Sequence, residues 1–321
     1  MNIDARRDGT EATPHFGETG RSFLVTGATG FIGQRLVRAL LRDGQRVTVL
    51  TRRTPDASRL FDGRAECITG MAQLPPSRRI DVVINLAGAR ILGWRWTAAR
   101  RAALRKSRVG LTQKVVAWIA AAEHKPALML SGSAIGYYGI QRPGDATALT
   151  ESAGPQPVFM SDLCREWEQA AAGAAAHGVS VARMRFGLVL GTGGALPMML
   201  LPIRLGLGGP LGRGSQWLSW IHVDDVIGAM AHLCRVNGEG AYNFTAPETV
   251  TQAQFSRTAA TVLRRPCGFP TPGWPMRLAL GEQADLLLEG QRVLPERLGA
   301  GGYVFRHPDL DGALRSIVQA S

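Results

Sequence analysis

The stretch Thr26-Gly27-Ala28-Thr29-Gly30-Phe31-Ile32-Gly33 follows the apolar run Phe23-Leu24-Val25 and opens an amphipathic segment, and it constrains this chain more than any other feature. Glycine lets the backbone turn tightly and approach a pyrophosphate. A helix beginning near Gly30 aims unpaired N–H groups and the positive end of its dipole at the same anion. Ile32, Leu36, Val37 and Leu40 then recur at helical spacing, and Arg46-Val47-Thr48-Val49-Leu50 reads as a second strand. Strand, glycine loop, helix and strand in that order make a dinucleotide-phosphate cradle, with Gly27, Thr29, Gly30, Phe31, Ile32 and Gly33 as its cofactor-binding residues.

Which dinucleotide is bound is decided at the end of the second strand, where the chain reads Thr51-Arg52-Arg53. An acidic side chain there would accept hydrogen bonds from a free ribose 2′-hydroxyl. Guanidinium groups pair instead with a 2′-phosphate, so Arg52 and Arg53 point to NADP(H), with Arg52 carrying more of the weight. The alternative is that both are solvated surface charge.

Strand-like runs at Cys67–Thr69, Asp81–Leu86, Leu128–Ser131 and Val179–Arg185 alternate with helix candidates at Thr97–Arg108, Thr112–Ala122 and Asp162–Ala176. That rhythm means an α/β fold with a Rossmann-like, doubly wound parallel sheet, in which ligands gather at the carboxyl ends of the strands. It draws attention to Leu86, Ala87 and Gly88 after one strand, and to Ser131 through Gly139 after another. After Leu190 come Gly191-Thr192-Gly193-Gly194, an apolar helical run to Leu205 and a glycine-rich stretch, which read as a substrate-side insertion. Ser219 to Asp225 returns the chain to the main body, with Asp224 expected to cap the next helix.

The chain has 321 residues and a formal charge of +12. The basic residues are scattered and almost all arginine, without an aromatic-interleaved run, so a nucleic-acid partner is not expected. Cys67, Cys164, Cys234 and Cys267 form no paired metal-ligand spacing; reduced thiols, no metal and a cytoplasmic location are the expectation. Residues 1–20 read as a flexible tail, and no uninterrupted apolar stretch reaches membrane-spanning length.

An ordered series of motifs resembles the extended short-chain dehydrogenase/reductase superfamily, and within it the YfcH-type epimerase-like proteins, over nearly the whole chain. It runs through the glycine loop, Asn85-Leu86-Ala87-Gly88, Arg95-Trp96-Thr97, Ser107-Arg108 and Ser131 to Gly139. It continues with Cys164-Arg165-Glu166-Trp167-Glu168, Leu205 to Gly209, Ser219 to Asp225 and Leu280-Gly281-Glu282 through Gly290 to Val293. The resemblance implies a Rossmann domain over residues 21–190, rejoined at about 216–246, with a small substrate lobe from 191–215 and 247–321. It also implies NADP(H) as cofactor, a small-molecule substrate, Ser133 as the superfamily's serine, Arg108 where its asparagine commonly sits, and Leu86, Ala87, Gly88, Arg108 and Ser131 as further cofactor-binding residues.

The chemistry departs from that pattern. The superfamily pairs a tyrosine with a lysine four residues later, whereas the lysines here are Lys106, Lys114 and Lys125, all before Tyr137. Alignment on Trp167-Glu168 puts Met160 and Cys164 in the two places. In one reading Ser133 hydrogen-bonds a substrate oxygen while Tyr137 or Tyr138 supplies the proton; in the other Ser133 orients nicotinamide and both tyrosines line a wall. Cys164 as a nucleophile competes with a core role, and His222 as a general base or substrate contact competes with a structural one. Trp94, Trp96, Trp217 and Trp220, with Arg213 and Gln216, either wall the substrate pocket or pack its core. An NADP(H)-dependent oxidoreductase or epimerase and a non-catalytic NADP(H)-binding sensor or scaffold both fit. A homodimer is compatible with the fold, as is burial of the alanine-rich helix after Asp162 within one chain.

Overall fold

The computed structural model describes residues 14–320 apart from 92, 94 and 143, so Trp94 falls outside the described residues. Strand β1 (Ser22–Thr26) is buried at every position, as a strand covered on both faces by helices must be. Helix α1 (Phe31–Arg42), β2 (Arg46–Leu50), α2 (Thr54–Leu60), β3 (Glu66–Ile68) and β4 (Val82–Asn85) follow. Then come α3 (Ala98–Arg105), α4 (Leu111–Ala121), β5 (Leu128–Ala134), α5 (Phe159–Ala172) and β6 (Ser180–Phe186). Two short strands, β7 (Leu188–Leu190) and β9 (Trp220–His222), pair in parallel on either side of α6 (Leu196–Arg204) and β8 (Trp217–Leu218). Helix α7 (Val223–Val236) leads to β10 (Gly240–Phe244).

The main sheet has seven strands in the order β10-β6-β5-β4-β1-β2-β3, and every pairing is parallel. The chain winds one way from β1 to β3 and the other way from β4 onward. The crevice therefore opens between β1 and β4, where the order reverses. Register places Thr26 opposite Asn85, Asn85 opposite Ser131 and Ser133 opposite Arg185, a row of polar residues across the carboxyl edge. Apolar cores lie on both faces, one built around Phe23, Val25, Leu36 and Met230, the other around Leu24, Val83, Trp118 and Ile119.

Three features depart from the sequence reading. Phe16 is fully buried, packs edge-on against Phe23 and donates its backbone N–H to Asp43, so the expected tail does not extend to Gly20. Helices α3 and α4 are joined without a break by a π-turn over Lys106–Gly110, and Arg108 sits inside it. The cap of α7 is His222, whose Nδ1 accepts the Asp224 N–H; Asp224 lies in the first turn instead.

The remaining elements, β11 (Val250–Thr251), α8 (Gln252–Leu263), α9 (Trp274–Leu280), α10 (Asp285–Leu288), α11 (Glu296–Ala300) and α12 (Leu310–Gln319), belong mostly to a second body of structure. Strand β11 pairs antiparallel with β8. Leu196 and Leu200 of α6, Phe255 and Ala259 of α8, and Leu314 and Ile317 of α12 share one apolar cluster with Trp220.

Candidate functional site

Gly27 has φ +73°, and a Cβ there would come within 2.7 Å of the Leu86 carbonyl carbon. A Cβ on Gly33 would lie 2.2 Å from the Gly27 oxygen, so the head of α1 presses on the loop closely enough to exclude any side chain. Gly30 is the N-cap of α1 and contributes no side-chain cap, and no acidic residue stands in the first turn. The positive end of the helix thus remains available to an anion in the crevice. The Phe31 ring is covered by 191–194, and Arg35 reaches across to Thr192 and Asp224.

Arg52 is exposed just beyond β2 and makes no ion pair or hydrogen bond among the described residues, whereas Arg53 lies 3.6 Å from Asp56. The two arginines are therefore unequal: one is free for a ligand and one already has a neighbouring carboxylate.

At the adjacent strand ends the buried polar residues satisfy each other. Thr26 Oγ1 donates to Asn85 Oδ1 at 2.6 Å, Asn85 Nδ2 donates to Thr112 Oγ1 at 2.8 Å, and Trp167 Nε1 donates to the same hydroxyl at 3.0 Å. Ser131 stands 3.5 Å from Asn85 Nδ2. This network holds the segment Leu86-Ala87-Gly88 at the mouth of the crevice, where the Ala87 N–H donates to Thr26 Oγ1 at 3.2 Å.

Ser133 ends its hydrogen bond on an acid that sequence reasoning passed over. Its hydroxyl donates to Glu168 Oε1 at 2.7 Å, and Arg185 grips that carboxylate with Nε at 2.7 Å and Nη2 at 2.9 Å. Burial works against the Arg185 charge, but the carboxylate outweighs it and holds the guanidinium above its ordinary pKa. The signal was present, since an arginine within the buried strand Ser180–Phe186 requires a partner. Because the single Ser133 proton is committed to Glu168, what Ser133 offers a ligand is a lone pair.

The two tyrosines separate. Tyr138 is buried, donates to Asn243 Oδ1 at 2.6 Å and accepts from Arg185 Nη1 at 2.9 Å. Burial raises its pKa against the pull of Arg185, so the expectation that Tyr138 exchanges a proton gives way to a structural role. Tyr137 is half-buried, and the Arg185 guanidinium carbon sits 3.5 Å from its ring centroid. Met160 and Cys164 follow on α5, and burial, with Glu168 adding, pushes the Cys164 thiol up to about 12. At that value the thiol stays protonated at neutral pH and is no nucleophile.

Arg108, in its π-turn, is 6% exposed and donates Nη2 to the Ala89 carbonyl at 3.0 Å. Desolvation lowers its pKa.

The residues expected on the substrate side split into two groups. Arg213 and Gln216 line a cavity of about 370 Å³ with Gln141, Trp217, Trp274 and Arg277. Trp220 is fully buried in the apolar cluster it shares with α6, α8 and α12 and is not among the residues that line this cavity. His222 is buried, its ring tilted by 40° against that of His307 with centroids 3.9 Å apart, and is held down to about 3 by burial, with the His307 and Arg35 charges adding. Its Nδ1 is engaged by the Asp224 N–H, which favours a structural role for His222. His222, Asp224 and His307 do bring ligand atoms within 4.8 Å of one another, but Arg35 already pairs with Asp224. Trp96 packs edge-on against Phe159 and donates its N–H to the Ile91 carbonyl. No helix among the described residues is long and apolar enough to cross a membrane.

Comparison with known proteins bears on the chain as a whole. Residues 23–244 match the model of the NAD dependent epimerase/dehydratase family, and residues 271–317 match a domain of unknown function, DUF1731. An epimerase family protein of Staphylococcus saprophyticus is 38% identical, covering 93% of this chain and 99% of its own length. The Arabidopsis thaliana epimerase family protein SDR39U1 homolog, chloroplastic, is 37% identical over 94% of this chain and 88% of its own. The crystal structure of human epimerase family protein SDR39U1 with NADPH is similar at TM-score 0.80 and 33% identity, covering 93% of this chain and 99% of that one.

Proposed function

The chain belongs to the NAD dependent epimerase/dehydratase family, and from that premise we propose that it is an NADP(H)-dependent oxidoreductase or epimerase-like enzyme acting on a small substrate. The observation that carries the reading is the side-chain-free cradle of Gly27, Gly30 and Gly33 under the uncapped head of α1, with unpaired Arg52 at the end of β2. These residues fit a dinucleotide diphosphate and a 2′-phosphate. The NADPH in the human structure supports the same choice.

Bound there, the nicotinamide would supply hydride exchange. The chain's own part is to hold Leu86, Ala87 and Gly88 against the cofactor and to orient Ser133 through Glu168. Ser133 accepts a hydrogen bond from a ligand hydroxyl or amide, and Tyr137 is the phenol that exchanges a proton. We assign residues 21–190 and about 216–246 to the cofactor half, and 191–215 with 247–321 to the substrate half. Arg213 and Gln216 then hold a polar or anionic substrate in the lobe cavity. A cytoplasmic location completes the reading, resting on cysteines read as reduced thiols.

Titration of the purified protein with NADPH and NADH, followed by cofactor fluorescence, tests the premise. Preference for NADPH supports it; equal binding removes Arg52 and Arg53 as phosphate readers, and failure of both leaves only the fold.

One specific observation favours a second reading, that of a non-catalytic NADP(H) binder. Met160 and Cys164 stand on α5 where the superfamily's tyrosine and lysine would be, and Tyr138 is locked in the interior. Turnover that survives in the wild type and falls in Ser133→Ala, with NADPH binding intact, decides for the enzyme. Absence of hydride exchange across carbonyl and alcohol panels decides for the binder.

A further inference from the structure

Two guanidinium groups are buried at the strand ends, and the protein treats them oppositely. Arg185, 3% exposed, meets both oxygens of Glu168 and the Tyr138 hydroxyl. Arg108, 6% exposed, meets no carboxylate among the described residues. Its Nη2 donates to the Ala89 carbonyl at 3.0 Å, and Nη1 reaches Ser107 Oγ only at 3.5 Å. Of the two titratable groups that act on it, the Cys164 thiol is kept protonated by its own burial and Arg100 carries the same sign. An ion taken out of water without a counter-ion is among the least favourable arrangements in a protein interior.

Arg108 is nevertheless held with care. One side of its guanidinium faces the Trp167 ring, 5.3 Å from the centroid. On another it lies so close to Gly88 that a Cβ there would be 3.0 Å from its Cζ. The π-turn that carries it interrupts an otherwise regular helix, an irregularity found often at functional positions. A hydrocarbon side chain would fill the same space without burying a charge.

We infer that Arg108 is the receptor for an oxyanion, a carboxylate or phosphate borne by a ligand that enters the crevice beside Gly88 and Ala89. The inference rests on the reading of that crevice as the ligand site, and it deepens it by naming the ligand's charge. The oxyanion has two sources, the dinucleotide diphosphate or an acidic group on the substrate. Gly27 abuts Leu86 and Ala87, whereas Arg108 stands one step further along, against Trp167 of the helix that bears Glu168. That position lies toward Ser133 and favours the substrate.

The test uses the full chain and its Arg108→Met and Arg108→Lys variants, titrated calorimetrically with inorganic phosphate and with oxalate, with and without saturating NADPH. NADPH affinity and the thermal midpoint are measured in parallel. The expected result is that Arg108→Met weakens phosphate or oxalate binding by about tenfold or more, that Arg108→Lys retains part of it, and that cofactor-free Arg108→Met melts no lower than the wild type. If the loss falls on NADPH itself, the oxyanion is the cofactor's and the receptor role stands. Unchanged anion and NADPH affinities in Arg108→Met, or a wild type that binds none of the three probes, overturn it. A wild type that binds phosphate or oxalate through Arg108 but not NADPH defeats the cofactor reading alone.

Discussion

Arg52 and Arg53 are sequence neighbours with different surroundings, and the difference is measurable. Arg52→Ala should weaken NADPH by about tenfold or more while leaving NADH nearly unchanged, because a charge-assisted pair with phosphate is worth about 1.5–3 kcal/mol. Arg53→Ala should do less, since Asp56 already lies near that guanidinium. A competitive fluorescence titration of each variant decides it. The buried Arg185–Glu168 pair calls for a stability measurement. Glu168→Leu strips the carboxylate from a guanidinium that cannot reach water, and by urea unfolding should cost about 3–5 kcal/mol. Replacing both partners with apolar residues should recover most of that loss.

At the scale of elements, the glycine loop and the head of α1 behave as one unit. Gly33→Ala drives a methyl into the Gly27 carbonyl and must push α1 off the sheet, so cofactor affinity should fall by about tenfold or more together with the thermal midpoint. A titration that leaves NADPH affinity at the wild-type value would separate the loop from the cofactor. The α5 cysteine obeys a similar element-level rule. Cys164 faces the packed side of its helix and Cys234 that of α7, so under native conditions both should resist an alkylating reagent that labels the half-buried Cys67 and Cys267. Mass spectrometry of the labelled chain checks this.

For the whole molecule, His222 couples α7 to the carboxyl-terminal helix, with Nε2 3.4 Å from Ser316 Oγ. Its folded-state value of about 3 lies below the ordinary 6.5, so between those values the unfolded chain binds the extra proton. Stability therefore rises with pH across that window and is lost as pH falls from about 6.5 toward 3, by an amount on the order of a few kcal/mol for this one group. Urea midpoints compared at pH 7.5 and pH 5 should show the loss. His222→Asn, which can still cap α7, should flatten it.

The sequence by itself determined the local events. The glycine spacing fixed the cradle, because only a residue without a Cβ fits where Gly27 meets Leu86 and Gly33 meets Gly27. The alternation of apolar strands with amphipathic helices fixed the doubly wound sheet, because each period buries one kind of surface. The arginine at the end of β2 was legible because its place in such a unit follows from the loop before it. What the tertiary structure decided was pairing over distance. Glu168 and Arg185 meet across α5 and β6, Tyr138 is tied to Asn243 105 residues away, and Trp220 is swallowed by the apolar cluster of α6, α8 and α12. Arg108 was named from its position, but that it is buried without a counter-ion among the described residues depended on which acids the fold brings near. Chain order carries periodicity and steric need, whereas the burial of a charge and the identity of its partner exist only once distant segments have packed together.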